Sequence, residues 1–226
     1  MRPALRGKGP RRGRRAGGVV VLALVALLAG CAGLVDKPVQ RTLYDFGPGA
    51  PVSGTPGSAR QPALVLSEVE ATGALEGSAV LYRLGYADAN QLRPYAHARW
   101  SAPPGDLVRQ RLREQLGRDR VIFTLGESAA LAREDGSLPR VLRLDLDEFA
   151  HFFETPERSF GRLRLRATLL ENTPAGERLL AQRSFDLQQP AASADAPGGV
   201  RALAAATDAL AVDLSQWLQQ ARGGGS

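Results

Sequence analysis

Few groups in this sequence can do chemistry. Its 226 residues include one cysteine, Cys31, and two histidines, His97 and His151. Three carboxylates, Asp145, Asp147 and Glu148, sit close enough along the chain to suggest an acid–base pair or a calcium site. Cys31 closes the stretch Leu28-Ala29-Gly30-Cys31. A lone thiol has no disulfide partner in its own chain. These four residues match the lipobox of bacterial lipoproteins. In such proteins a signal peptidase cuts before the cysteine, here between Gly30 and Cys31. The thiol carries a diacylglycerol and the new amine is usually acylated as well. The alternative is a secretory peptide that ends near a buried cysteine. A catalytic cysteine seldom stands at a signal-peptide boundary, so the lipidated reading is preferred.

The elements before Cys31 have the build of an export signal. Arg2, Arg6, Lys8, Arg11, Arg12, Arg14 and Arg15 form a basic region without an acid, and Val19 to Leu28 are ten consecutive apolar residues. Ten residues are too few to cross roughly 30 Å of hydrocarbon as a helix, but they suit a signal peptide. The paired arginines hint at twin-arginine export, yet Ala16-Gly17-Gly18 after them lends no support, and ordinary secretion is preferred. The whole chain has 29 Lys+Arg against 23 Asp+Glu. Residues 1–30 hold seven of those basic residues and no acid, which leaves 22 against 23, a net charge of −1. The basic balance therefore belongs to the export signal, and nucleic-acid binding, which needs a surviving basic patch, is not expected. Two or more acyl chains, at about 0.8 kcal/mol per buried CH₂, hold a protein firmly on a membrane.

The rest of the chain reads as tether, domain and tail. Residues 31–62 are the lipidated N-terminus and a Pro/Gly-rich tether, with a short strand near 43–46 around Tyr44-Asp45-Phe46. If residues 32–62 were all flexible coil they would reach on the order of 30 Å. Residues 63–222 form one domain, and 223–226 are a disordered tail. Strands are predicted at Ala63–Val69, Ser78–Leu84, Gln91–Trp100 and Val121–Thr124. A helix is predicted over Asp106–Leu116, where Val108, Leu112 and Leu116 share a face. Leu142, Leu144 and Leu146 alternate with Arg143, Asp145 and Asp147. Leu163, Leu165, Ala167 and Leu169 alternate with Arg162, Arg164, Arg166 and Thr168. Both are half-buried strands, and the turn at Pro156–Ser159 pairs them antiparallel, an acidic row facing an arginine row. Arg178–Leu187 completes a meander. Ala191–Gly199 is a linker. Val200–Gln220 is a long amphipathic helix, with Leu203, Leu210, Leu214 and Trp217 on the stripe that packs on the sheet.

Neither histidine has a second histidine or a carboxylate at metal-ligand spacing, so both are expected to be structural or surface residues. The arginines opposite Asp145 and Asp147 account for those carboxylates better than catalysis does. No Gly-x-Ser-x-Gly elbow, phosphate loop, dinucleotide fingerprint or His-Glu-x-x-His occurs. No catalytic residue, metal or cofactor is expected apart from the lipid on Cys31.

Several stretches resemble a known family. They are Leu43-Tyr44-Asp45-Phe46-Gly47-Pro48, Leu81 to Asp88, Gln91 to Trp100 followed by Pro103-Pro104, and Asp195 to Leu203 leading to Trp217-Leu218. In order and spacing they are similar to the ABC-type transport auxiliary lipoprotein component family, the PqiC-like lipoproteins that accompany MCE-type lipid transport systems. The resemblance implies an α/β (α+β) fold. A mixed, largely antiparallel sheet would carry two main helices, as in the TolB N-terminal-domain-like sandwich. It implies a non-enzyme at the outer membrane, facing the periplasm. Its partners would be a periplasmic MCE-domain protein and, through it, an ABC permease and ATPase. The cargo would be phospholipid or another hydrophobic molecule. A homo-oligomer stays open. Ala32 fits outer-membrane sorting, because the aspartate that retains lipoproteins at the inner membrane is absent. Two other readings stand beside this one: a module that holds lipid in a groove between sheet and helices, and a structural envelope lipoprotein without a transporter.

Overall fold

Three long strands, β6 (Arg140–Phe153), β7 (Ser159–Thr173) and β8 (Gly176–Pro190), form the antiparallel meander that the alternation predicted. Leu142, Leu144 and Leu146 of β6 and Leu163, Leu165, Ala167 and Leu169 of β7 are buried together. They point to one face because strand side chains alternate. The computed structural model describes residues 40–49, 61–124 and 138–223. The chain divides into one unit of Met1–Gln40 and another of Arg41–Ser226. Cys31 and Gly30 lie outside the described residues.

Strand β6 extends six residues past Asp147, where the sequence alternation breaks. The register shifts there, Leu146 pairing with Leu165 and Glu148 with Arg164, so Asp147 is the extra residue of a β-bulge. Beyond it the inward positions change from even to odd, and Phe149, His151 and Phe153 are buried. A bulge hides a strand's continuation from any search for period-two alternation.

The other edge of β6 carries two strands end to end. Its first half pairs parallel with β2 (Leu64–Ala71) and its last residues pair parallel with β3 (Ala79–Leu84). A helical turn, α1 (Gly85–Asp88), leads to β4 (Ala89–Trp100), antiparallel to β3. Strand β1 (Thr42–Tyr44) lies parallel on β4, and β5 (Ile122–Thr124) lies parallel on β2. The sheet is therefore mixed, with its longest ladders antiparallel.

Two helices cover one face. In α2 (Pro104–Leu116), Leu107, Val108, Leu112 and Leu116 are buried. In α3 (Ala196–Gly223), Val200, Leu203, Leu210, Leu214 and Trp217 are buried. Each such side chain contributes about 1.5–3 kcal/mol. Gly161 of β7 lets α3 approach: a Cβ there would stand 2.6 Å from the backbone of Ala202 and Leu203. The helix starts at Ala196, within the stretch predicted as a linker. The Asp195 carboxylate caps it, accepting the Gly198 N–H at 2.8 Å and the Ser193 hydroxyl at 2.6 Å. Pro197 falls in the first turn, where no intrahelical N–H is required.

The N-terminal strand ends at Tyr44, two residues before the predicted end. Asp45 accepts the Gly47 N–H at 2.8 Å, and Gly47 turns the chain at φ +67°. Phe46 nevertheless packs into the domain, so residues 42–46 belong to the folded unit and not to free tether.

Candidate functional site

Four of the side chains that could do chemistry, His151, Asp145, Asp147 and Glu148, are held by neighbours. His151 is 0 % exposed. Its Nδ1 shares a 2.8 Å hydrogen bond with the Tyr95 hydroxyl, and its ring lies 4.3 Å from that of Phe153. Its Nε2 has no hydrogen-bond partner among the described residues. Gly199 packs on the imidazole: a Cβ there would come within 2.4 Å of Nδ1. Burial pulls His151 down to a pKa of about 4, opposed by the Asp195 charge. Burial likewise pushes the Tyr95 phenol up, helped by Tyr82 and Asp195. This pair is a neutral core contact. His97 is exposed on β4.

The three carboxylates face arginines. Asp145 stands 3.4 Å from Arg166, its partner in register, and Asp147 is 3.9 Å from the same side chain. Glu148 is 3.0 Å from Arg83 and 3.8 Å from both Arg162 and Arg164. No group of three metal-ligating side chains forms among the described residues.

A different feature is open. Strand β1 pairs only with β4 among the described residues, and the Tyr44 carbonyl accepts the Ser101 N–H at 2.8 Å. Backbone groups alternate in direction along a strand. The N–H and C=O of Leu43 therefore point to the unpaired side, and the Leu43 residue is 69 % exposed. Beside this edge runs a groove of about 350 Å³ between β1 and the first turns of α3. Tyr44, Phe46, Val200 and Ala204 line it with apolar surface, and Asp45 and Arg201 bring one charge of each sign to it. The Phe46 ring meets Trp100 edge-on at 5.6 Å and lies 6.0 Å from Phe149.

Arg111 fastens this wall. It is 5 % exposed and donates to the Phe46 carbonyl at 2.5 Å. It also stands 3.4 Å from Asp208 of α3 and 3.8 Å from Glu114. Its place on α2 was readable, since it follows Leu107 by four and Val108 by three on the apolar face. Three more arginines surround β1. Arg41 precedes it and is exposed, Arg99 pairs in register with Leu43, and Arg201 faces it from α3. Arg99 donates to the Tyr95 and Ala98 carbonyls at 2.6 and 2.7 Å, and Arg201 to the Ser193 hydroxyl at 3.4 Å. No ion pair within 4 Å joins any of the three to a described carboxylate. The Arg201 charge does reach Asp195, whose carboxyl is held low first by its hydrogen bonds from Ser193 and Gly198 and in smaller part by Arg201.

A family described as ABC-type transport auxiliary lipoprotein component matches residues 44–215. A crystal structure of a Xanthomonas campestris protein assigned to DUF330 aligns with TM-score 0.64 at 17% identity, covering 81% of this chain and 98% of the other. A second solved structure, of an uncharacterized protein, aligns with TM-score 0.53 at 15% identity, covering 79% of this chain and 99% of the other. These two show the shared fold. No curated protein matches the sequence.

Proposed function

We propose, since this chain belongs to the family of ABC-type transport auxiliary lipoprotein components, that it is a non-catalytic docking subunit of an MCE-type lipid transporter. It holds the periplasmic MCE component at the outer membrane, while a permease and an ATPase serve the other end. Cys31 is the anchor, diacylated on sulfur and acylated on the amine exposed by cleavage after Gly30. The cargo is phospholipid or another hydrophobic molecule.

The observation that carries this reading is the family match over residues 44–215 downstream of a lipobox. The ten residue-to-residue steps from Cys31 to Arg41 span at most about 35 Å when fully extended. The folded unit is thus kept near the lipid surface, where a docking subunit has to act. The lipid-holding alternative needs room between sheet and helices. Leu144, Leu163, Leu203, Leu210 and Leu112 fill that layer at 0–1 % exposure, which weighs against it.

The test is crosslinking in intact cells, mild solubilisation and recovery through a C-terminal tag. Enrichment of an MCE-domain protein over a Cys31→Ala control supports docking through an anchored subunit. Recovery in both samples keeps the docking surface and makes the anchor dispensable. Recovery in neither sinks the assignment and leaves the structural-lipoprotein reading.

A further inference from the structure

We propose that the open edge of β1 and the groove beside it bind the partner by strand addition, taking an extended, acidic segment with an apolar side chain. This rests on the docking reading and deepens it. Strand addition needs a row of unpaired backbone donors and acceptors beside a pocket that reads side chains. Both are present. The Leu43 N–H and C=O face outward, because Tyr44 spends its carbonyl on Ser101. The groove alongside offers Tyr44, Phe46, Val200 and Ala204 to one apolar side chain.

Charge selects the occupant. Arg41 at the start of β1, Arg201 across the groove and Arg99 on the neighbouring β4 outnumber the one acid that lines the groove, Asp45, which already accepts the Gly47 N–H. A segment with carboxylates flanking its apolar residue meets this excess of positive charge, and opposite charge steers its approach. Lipid headgroups carry negative charge too, but they have no use for a strand edge, so a peptide accounts for more of the geometry. The wall is also held in place beforehand. Arg111 fixes Phe46, and Phe46 is wedged between Trp100 and Phe149, which lowers the ordering cost of binding.

The position of the Leu43 N–H gives a selective variant. Proline at 43 removes only a donor that points away from β4, so the ladder to β4 survives. In full-length, lipidated protein in cells, Leu43→Pro and Arg201→Glu should each lower recovery of the MCE-domain protein by about tenfold or more, with melting temperature little changed. A photo-crosslinking residue placed at Leu43 should attach to a peptide of that protein, whereas the same residue at Leu179 of β8 or Val212 of α3, both exposed, should not. If both variants recover the partner as wild type does, or only Leu179 or Val212 crosslinks to it, the groove is the wrong surface and docking stands. If wild type recovers no MCE-domain protein, the docking reading fails and the groove assignment falls with it. Crosslinks from Leu43 to phospholipid or to a second copy of this chain also overturn the peptide assignment.

Discussion

The outer face of the meander and the edge at β1 are both rich in arginine, yet they differ in how those arginines are used. On the meander, Arg143 meets Glu177 at 2.8 Å, Arg162 meets Asp186 at 2.7 Å and Arg178 meets Glu171 at 2.5 Å. Asp186 is held below the usual carboxylate range chiefly by its hydrogen bond from Arg162. These charges are satisfied within the fold. Around β1, Arg99 and Arg201 donate to carbonyls and a hydroxyl. No ion pair within 4 Å joins Arg41, Arg99 or Arg201 to a described carboxylate, Asp195 feeling the Arg201 charge only from farther off. A charged surface that is complete in itself has little left to offer a partner, while an incomplete one has. The abundance of arginine is thus no guide to docking, but its pairing is.

Under both regions lies the seam between β6–β7 and α3, and the sharpest way to break the comparison is to break that seam. Gly161→Val should destabilise the protein by about 3 kcal/mol or more, because its side chain would overlap the backbone of Ala202 and Leu203. Urea unfolding would measure it. A Gly77→Ala variant, with nothing within 4 Å of the added carbon, should change stability by less than about 0.5 kcal/mol. Equal losses in the two variants would mean that the close approach of α3 is not what holds the layers together.

A second prediction concerns the buried pair beneath the start of α3. Unfolded histidine titrates near 6.5, and His151 in the fold near 4. Its contribution is therefore fully present above pH 6.5 and is lost as pH falls toward 4, a change on the order of 3 kcal/mol. Chemical unfolding at a series of pH values should show that slope, and His151→Phe should flatten it. A slope that persists in the variant would assign the acid sensitivity to the paired carboxylates of the meander instead.

How far the sequence revealed this design depends on whether a feature is local. The leucine alternation of β6 and β7 and the stripe of α3 are periodic, so their partners and inward faces could be read directly. The bulge at Asp147 breaks the period, which concealed Phe149, His151 and Phe153 as continuing strand. Pro197, Gly198 and Gly199 look like linker composition until Asp195 is seen to cap a helix in which Gly199 makes room for the imidazole and Gly198 for Ser193. Tyr95 and His151 are 56 residues apart, and nothing local brings them together. The parallel pairing of β2 and β3 along one edge of β6 is likewise a property of the whole topology. For the candidate site, Leu43 to Phe46 was legible as a strand with aromatics. Its open edge was not, because an edge is defined by the strand that is missing beside it.

Arg111 links the seam to the open edge, so it sharpens the comparison from the other side. Arg111→Met keeps the volume and removes the donor to Phe46. Asp208 and Glu114 remain half exposed to solvent, so the expected cost is only about 1–2 kcal/mol. The informative readout is local: hydrogen exchange should accelerate at residues 42–47 and stay unchanged in β6 and β7. Faster exchange throughout would make Arg111 a general core residue and not the fastening of the groove wall.

The smallest effect belongs to the meander's own ion pairs. Arg143 and Glu177 make two contacts of 2.8 Å, yet their side chains are 50% and 41% exposed. Water screens such a pair, and holding two long side chains in place costs entropy, so their coupling should be about 0.5 kcal/mol and should shrink as salt is added. A double-mutant cycle with Arg143→Ala and Glu177→Ala measures it. A value near that size would mean that the paired face is kept for solubility and register and adds little stability. A coupling several times larger, insensitive to salt, would mean that this face is shielded from water in the folded protein. The contrast between a completed surface and an open edge would then have to be redrawn, with the meander as a second candidate interface.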